Sequence, residues 1–240
     1  MILFINLILA HMIADFMLQF EELYRLKVKS KLGHFLHVFI HLTVSLLVSI
    51  PFLYHPLTWI FITALSFIHY GQDIIKYRLQ KNEKIMFWCF TIDQIIHFFI
   101  ITSVLILPIS RLEPHNVNIP FLKHFVKTPE ISLVVIEFIA ASFGGTYFLH
   151  ALRKSYCKNT RPDHFITSFE MTHAMIERGL IAYAWTFGNL FFIAFSPLIG
   201  LIRLSDKRLR SKFDFFLSYL LSATLGIIFY YIFNRFDKGI

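Results

Sequence analysis

Charge is what this sequence has least of. Only 16% of its 240 residues are Asp, Glu, Lys or Arg, against about a quarter in soluble domains. Hydrophobic residues make up 56% and aromatic residues 18%, and the mean hydropathy is +0.62. Those proportions exclude an ordinary soluble domain and imply an integral membrane protein. Cysteine is scarce too: Cys89 and Cys157 form no CxxC pair, so no disulfide framework is expected. Low-complexity segments and internal repeats are missing. The first apolar run has no basic n-region and no A-x-A cleavage site, so it is expected to be a retained helix. The net charge is +8, but in a membrane protein basic residues mainly set topology. No nucleic-acid partner is expected.

What is there is a series of long apolar runs. A spanning helix needs about 20 largely apolar residues. Eight segments qualify: 1–20, 33–54, 57–78, 86–108, 130–152, 167–187, 189–204 and 213–234. The sixth is polar and the seventh short. The expected fold is therefore an all-α, polytopic helical bundle in one membrane domain, with a four-helix core over 1–108 and a second half over 109–240. Basic residues test the count. One side gathers Arg25, Lys27, Lys29 and Lys31 in a loop over 21–32, then Lys76, Arg78, Lys81 and Lys84. It also holds Arg153, Lys154, Lys158 and Arg161, and finally Arg203, Lys207, Arg208, Arg210 and Lys212. The other side has Arg111, Lys123, Lys127, Arg235 and Lys238, and Arg178 alone falls within a span. This asymmetry predicts a cytoplasmic side for the first group and both termini outside. The two cysteines then lie near the reducing side, as free thiols would.

The polar residues inside the apolar runs are few and regularly spaced. Helix 1 carries His11, Asp15 and Gln19 in "HMIADFMLQF". The "HFLHVFIH" run supplies His34, His37 and His41, "HYGQDIIK" supplies His69, Asp73 and Lys76, and "DQIIH" supplies Asp93, Gln94 and His97. Four successive helices thus hold a metal-capable pair at i, i+4: His11/Asp15, His37/His41, His69/Asp73 and Asp93/His97. Side chains so spaced share a helix face and can converge on one ion. With the predicted orientation all four pairs fall in the cytoplasmic half of the bilayer. The sixth run adds Glu170, His173, Glu177 and Arg178, where Glu-x-x-His has di-iron carboxylate spacing. Arg178 is expected to pair with an acid, and Glu137 to make a separate contact nearer the outer side. A lone intramembrane histidine more often makes a helix–helix hydrogen bond than binds metal. Four aligned pairs at one depth favour a metal site over that reading. His34 also reads as interfacial, and Lys76 as a snorkelling lysine or a site residue. His55, His115, His124 and His164 carry no role.

The runs "HMIADFMLQ", "HFLHVFIH", "HYGQDIIK" and "DQIIH" resemble the bacterial membrane proteins of domain-of-unknown-function family 3307. "IERGLI" and "FLSYLLSATLG" resemble the family's later helices. The resemblance implies a polytopic inner-membrane protein with a polar centre, and brings no activity with it.

Function therefore has to come from the centre. His and carboxylate donors suit zinc first, with iron or manganese also compatible, whereas magnesium prefers nearly all oxygen. The expected ligands are His11, Asp15, His37, His41, His69, Asp73 and His97, with Glu170 and His173 in reserve, for one or two ions. The leading expectation is a metal-dependent hydrolase of a lipid or phosphate ester at the cytoplasmic leaflet. In it Lys76 would hold the anionic group, Asp93 (or Asp73, if not a ligand) would act as base and Gln19 would line the mouth. An iron centre would instead oxidise acyl chains through Glu170 and His173. The alternative is a transition-metal transporter, since the 11/15 and 69/73 pairs resemble the quartet of cation-diffusion zinc transporters. A third class, a membrane sensor or effector in stress or phage defence, has no residue speaking for it. Membrane lipids are the expected partners in every case.

Overall fold

The computed structural model describes residues 1–79, 82–115, 128–156, 168–205 and 212–236. Of the residues weighed above, Lys81, Lys123, His124, Lys127, Cys157, Lys158, Arg161, His164, Lys207, Arg208, Arg210 and Lys238 lie outside them. So do the side chains of Glu170, Arg203 and Lys212. Among the described residues every regular element is helical, so the protein is all-α. The chain falls into two compact units, Met1–Leu133 with Ala151–Lys158, and Val134–His150 with Asn159–Ile240.

The first unit holds the helices on which the His/Asp pairs lie. Helix α1 is Ile2–Met12, and it runs into a π turn over Ile13–Met17. After it come α2 (Glu21–Lys29), α3 (Lys31–Val48), α4 (Pro56–Leu79) and α5 (Met86–Thr102). Helix α1 packs on α3 and α5, α2 on α3, and α4 on both α3 and α5. Leu3, Leu7, Phe52, Ile62, Leu65, Ile101, Val104 and Ile109 form an apolar core at the N-terminal end of α1. That end is tied by the amino terminus donating to the Ser110 carbonyl at 2.7 Å and by Tyr54 donating to the Glu113 carbonyl at 3.0 Å. The outward faces are apolar instead of charged: Phe35, Phe39, Ile60, Phe67, Phe98 and Phe99 are all exposed. Apolar residues outside and histidines inside is the pattern of a helix bundle in lipid.

Among the described residues, helical stretches over Lys31–Val48, Met86–Ile106 and Phe215–Phe236 are long and apolar enough to cross a membrane, and a fourth covers Pro129–Tyr156 through a π turn. A fifth appears if α1 and α2, bent by 87°, count as one broken span. Helix α4 has 24 residues, about 36 Å at 1.5 Å per residue. It is long enough but too polar, because His69, Gln72, Asp73, Lys76 and Arg78 fill its C-terminal half.

The second unit holds the end of α6 (Pro129–Ile139), the π turn Ala140–Gly144 and the start of α7 (Gly145–Tyr156). It continues with α8 (Ser168–Phe187), α9 (Leu190–Ser205) and α10 (Lys212–Phe236). Helix α8 is its centre and packs on α9, α10 and the π turn.

Helix α2 lies where the sequence reads as a basic loop. Its inner face is Leu23, Leu26 and Lys27, at the i, i+3, i+4 spacing of an amphipathic helix, with Glu22, Arg25, Val28 and Lys29 turned out. A short turn at Ser30, whose hydroxyl accepts from the Gly33 amide at 3.3 Å, starts α3 immediately. Gly33 makes this corner possible, since a Cβ there would lie 2.3 Å from the Leu26 carbonyl carbon and the Lys27 nitrogen. Gly71 in α4 faces open space instead. Gly33→Ala should therefore destabilise the purified protein by about 1–3 kcal/mol through overpacking. Gly71→Ala should be neutral or stabilising by about 0.5–1 kcal/mol, as helical Gly→Ala usually is. Thermal midpoints of both variants in detergent check this; equal shifts in both would deny the close α2–α3 contact.

Candidate metal centre

The π turn at the end of α1 is the first local feature that shapes the centre. The Leu18 amide bonds to the Ile13 carbonyl at 3.0 Å, an i to i+5 register. That widened turn carries Asp15, and π turns are frequent at functional sites. Helix α3 brings His37 and His41 on successive turns to the same carboxylate oxygen, Asp15 Oδ1, at 3.0 and 2.9 Å. His69 Nε2 of α4 stands 3.7 Å from that oxygen. On the other side His11 Nε2 stands 3.5 Å from Asp15 Oδ2. His97 of α5 completes the set, with its ring stacked on that of His11 at 4.9 Å between centroids. All six side chains are buried.

Proton positions follow from the partners. The Asp93 carbonyl can only accept, so His97 Nδ1 donates to it at 2.7 Å. In the neutral ring His97 Nε2 is then a lone pair, and His69 Nδ1 donates to it at 2.5 Å. That leaves His69 Nε2 as a lone pair with no hydrogen-bond partner, facing the Asp15 carboxylate. Two electron-rich atoms facing each other in a buried site are costly. A cation between them removes the cost. His11 Nε2 and His37 Nδ1 are also buried without a hydrogen-bond partner.

The donor set fits a metal ion. Asp15, His37, His41 and His69 form one group, and His11, Asp15 and His97 a second; within each, one ligand atom per residue lies within 4.8 Å of the others. Tetrahedral zinc with bonds of 2.0–2.1 Å needs its ligand atoms about 3.3 Å apart, so only a modest closure separates these atoms from a coordination shell. His37 and His41 would exchange the protons they donate to Asp15 for the ion, as ligand histidines do.

The other expected site residues fall around this core. Asp73 belongs to neither ligand group. Its Oδ2 meets Lys27 Nζ at 2.7 Å, with His34 Nδ1 and His37 Nε2 both at 3.7 Å. Asp93 is likewise engaged by Lys76 Nζ at 2.6 Å and by the amide of Gln94 at 3.1 Å. Gln19 accepts from Lys27 Nζ at 2.8 Å. His34 is buried within the protein and packs edge-on against Tyr77 at 4.9 Å. His173 is exposed on α8 in the second unit and belongs to neither ligand group.

Lys27 is the residue that the sequence hides. It reads as one of four topogenic lysines and arginines, yet it is 2% exposed and bridges Gln19 to Asp73 across the Tyr77 ring, 5.1 Å from its centroid. The signal that could have found it is the Leu23/Leu26/Lys27 face of α2. In the second unit, Arg178 donates to the Ala141 and Ser142 carbonyls at 2.9 Å each and to the Thr146 hydroxyl. Both carbonyls belong to the π turn, so the guanidinium bonds backbone in addition to any acid. Glu137 accepts from Thr186 at 2.5 Å within the same unit.

The family model described as "Protein of unknown function (DUF3307)" matches residues 3–124, and the chain belongs to that family. The matched stretch contains both ligand groups and both lysine–aspartate pairs. No curated protein and no solved structure matches the chain.

A buried pair is most damaging when one partner is removed. Lys27→Met should destabilise the protein by about 3–5 kcal/mol, because Asp73 is left charged and unpaired. Lys27→Met combined with Asp73→Asn should recover most of that loss. Thermal unfolding of the single and double variants reads the difference. A Lys27→Met protein as stable as wild type would mean that Lys27 reaches the surface.

Proposed function

We propose that this DUF3307 protein is a metal-dependent enzyme of the bacterial inner membrane, hydrolysing a lipid or phosphate ester at the cytoplasmic leaflet. The observation that carries the reading is the Asp15 carboxylate, buried among the nitrogens of His37, His41 and His69 with one lone pair left facing it. Three imidazoles and one carboxylate favour zinc, and iron or manganese next. An ion in this centre that keeps a coordination position open would supply Lewis acidity and an activated water for hydrolysis. Asp93, Lys76 and Gln19 stand outside the ligand groups, where substrate-handling residues belong. In this reading Lys76 shifts from Asp93 to neutralise the anionic group, Asp93 then accepts a proton, and Gln19 hydrogen-bonds the head group. The eight-span topology with both termini outside belongs to the same proposal, since it puts the centre in the cytoplasmic half of the bilayer. So does the division into a core over 1–108 and a second half over 109–240.

The transporter alternative needs His11, Asp15, His69 and Asp73 to close around one ion. The Lys27–Asp73 contact at 2.7 Å speaks against Asp73 as a member of that quartet. The experiment is a paired assay on wild type, His37→Ala, His41→Ala and Asp93→Asn. Metal content of purified protein should be about one ion per chain or more in wild type, and fall at least tenfold in the two histidine variants. Hydrolysis of lipid phosphates in detergent should be lost in all three, with Asp93→Asn keeping its metal. Metal flux into proteoliposomes with no turnover of any lipid phosphate would favour the transporter.

A further inference from the structure

The two ligand groups are not equivalent, and Asp15 belongs to both. Its Oδ1 faces His37, His41 and His69, while its Oδ2 faces His11. The first group offers four protein ligands, enough to close a tetrahedral site. The second offers three, His11, Asp15 and His97, which leaves a coordination position open. His11 Nε2 is buried and has no hydrogen-bond partner, so it is already a lone donor aimed at that second position. His97 Nε2 is engaged by His69 Nδ1, so an ion there must take it over. The second position is therefore the weaker one.

Charge decides when it fills. Asp73 and Asp93 are each neutralised by a lysine, Lys27 and Lys76. Asp15 is the one carboxylate in the two ligand groups. One divalent ion leaves this buried core with a single positive charge. A second would leave three, with no further carboxylate to balance them, and unbalanced buried charge is strongly unfavourable. An incoming dianion restores the one-ion balance. We propose that the centre is a carboxylate-bridged two-ion site whose second ion, on His11, Asp15 and His97, binds together with a phosphate-type dianion. This rests on the reading of the centre as a metal enzyme, and it narrows the substrate to a phosphate monoester, lipid-borne or free.

Coupling of this kind is reciprocal, so it can be read from either ligand. Metal-stripped full-length protein in detergent is titrated with Co(II), followed by its d–d absorption and by metal analysis after desalting. The titration is repeated with inorganic phosphate and with a short-chain phosphatidic acid. Expected is one tight equivalent in the absence of phosphate. A second should appear only with the anion, its apparent affinity raised at least tenfold. A larger shift from the lipid phosphate assigns the anion to a head group, and a larger shift from inorganic phosphate assigns it to a free ester. His11→Ala and His97→Gln should keep the first equivalent, which also reports that they are folded, and lose the phosphate-dependent second. One equivalent whatever the anion, or two equivalents without it, would overturn the proposal while leaving the metal centre in place. No equivalent at all would overturn the enzyme reading with it.

Discussion

The structure depends on how one carboxylate is kept charged inside a bundle of histidines. Asp15 is buried, and the nearest groups to it are imidazoles from α1, α3 and α4. Hydrogen bonds from His37 and His41 satisfy one oxygen, but neutral imidazoles bring no countercharge. His69 Nε2 turns a lone pair toward the same oxygen. Held where it is by His97 and the Asp93 carbonyl, it presents a ligand atom.

The rest of the first unit can be understood as support for that arrangement. The apolar core at the other end of α1 and the ties at Ser110 and Glu113 hold that end together. Around the histidines, Lys27 and Lys76 neutralise the two carboxylates that would otherwise compete for the ion. Lys27 can do so only because α2 turns sharply into α3 over Gly33, backbone against backbone. A segment that looks like a topogenic loop is thus part of the wall of the site.

Much of this was legible in the sequence, and what was not has identifiable causes. The i, i+4 pairs in "HMIADFMLQF", "HFLHVFIH", "HYGQDIIK" and "DQIIH" mark polar faces because a polar residue in an apolar run has to face protein. Spacing cannot distinguish a ligand from the group beside it, however. Asp15 and Asp73 sit in identical His-x-x-x-Asp pairs, yet one lies among histidines and the other against a lysine from a helix far back in the sequence. Nor does periodicity reveal a π turn such as the one that carries Asp15. Hydropathy read eight apolar runs, whereas among the described residues four spans pass by length and apolarity together, or five with the bent α1–α2 pair. In α4 the residues that build the site are the ones that make the helix too polar to count.

The central claim is that Asp15, His37, His41 and His69 hold a metal ion. X-ray absorption at the metal edge of the purified, unreconstituted protein tests it most directly. The account predicts a first shell of nitrogen and oxygen at about 2.0–2.1 Å, with the outer-shell scattering of about three imidazoles and no sulfur. That signal should vanish in Asp15→Asn. A protein that carries no metal, or whose metal shows sulfur ligation and survives the loss of Asp15, would contradict it.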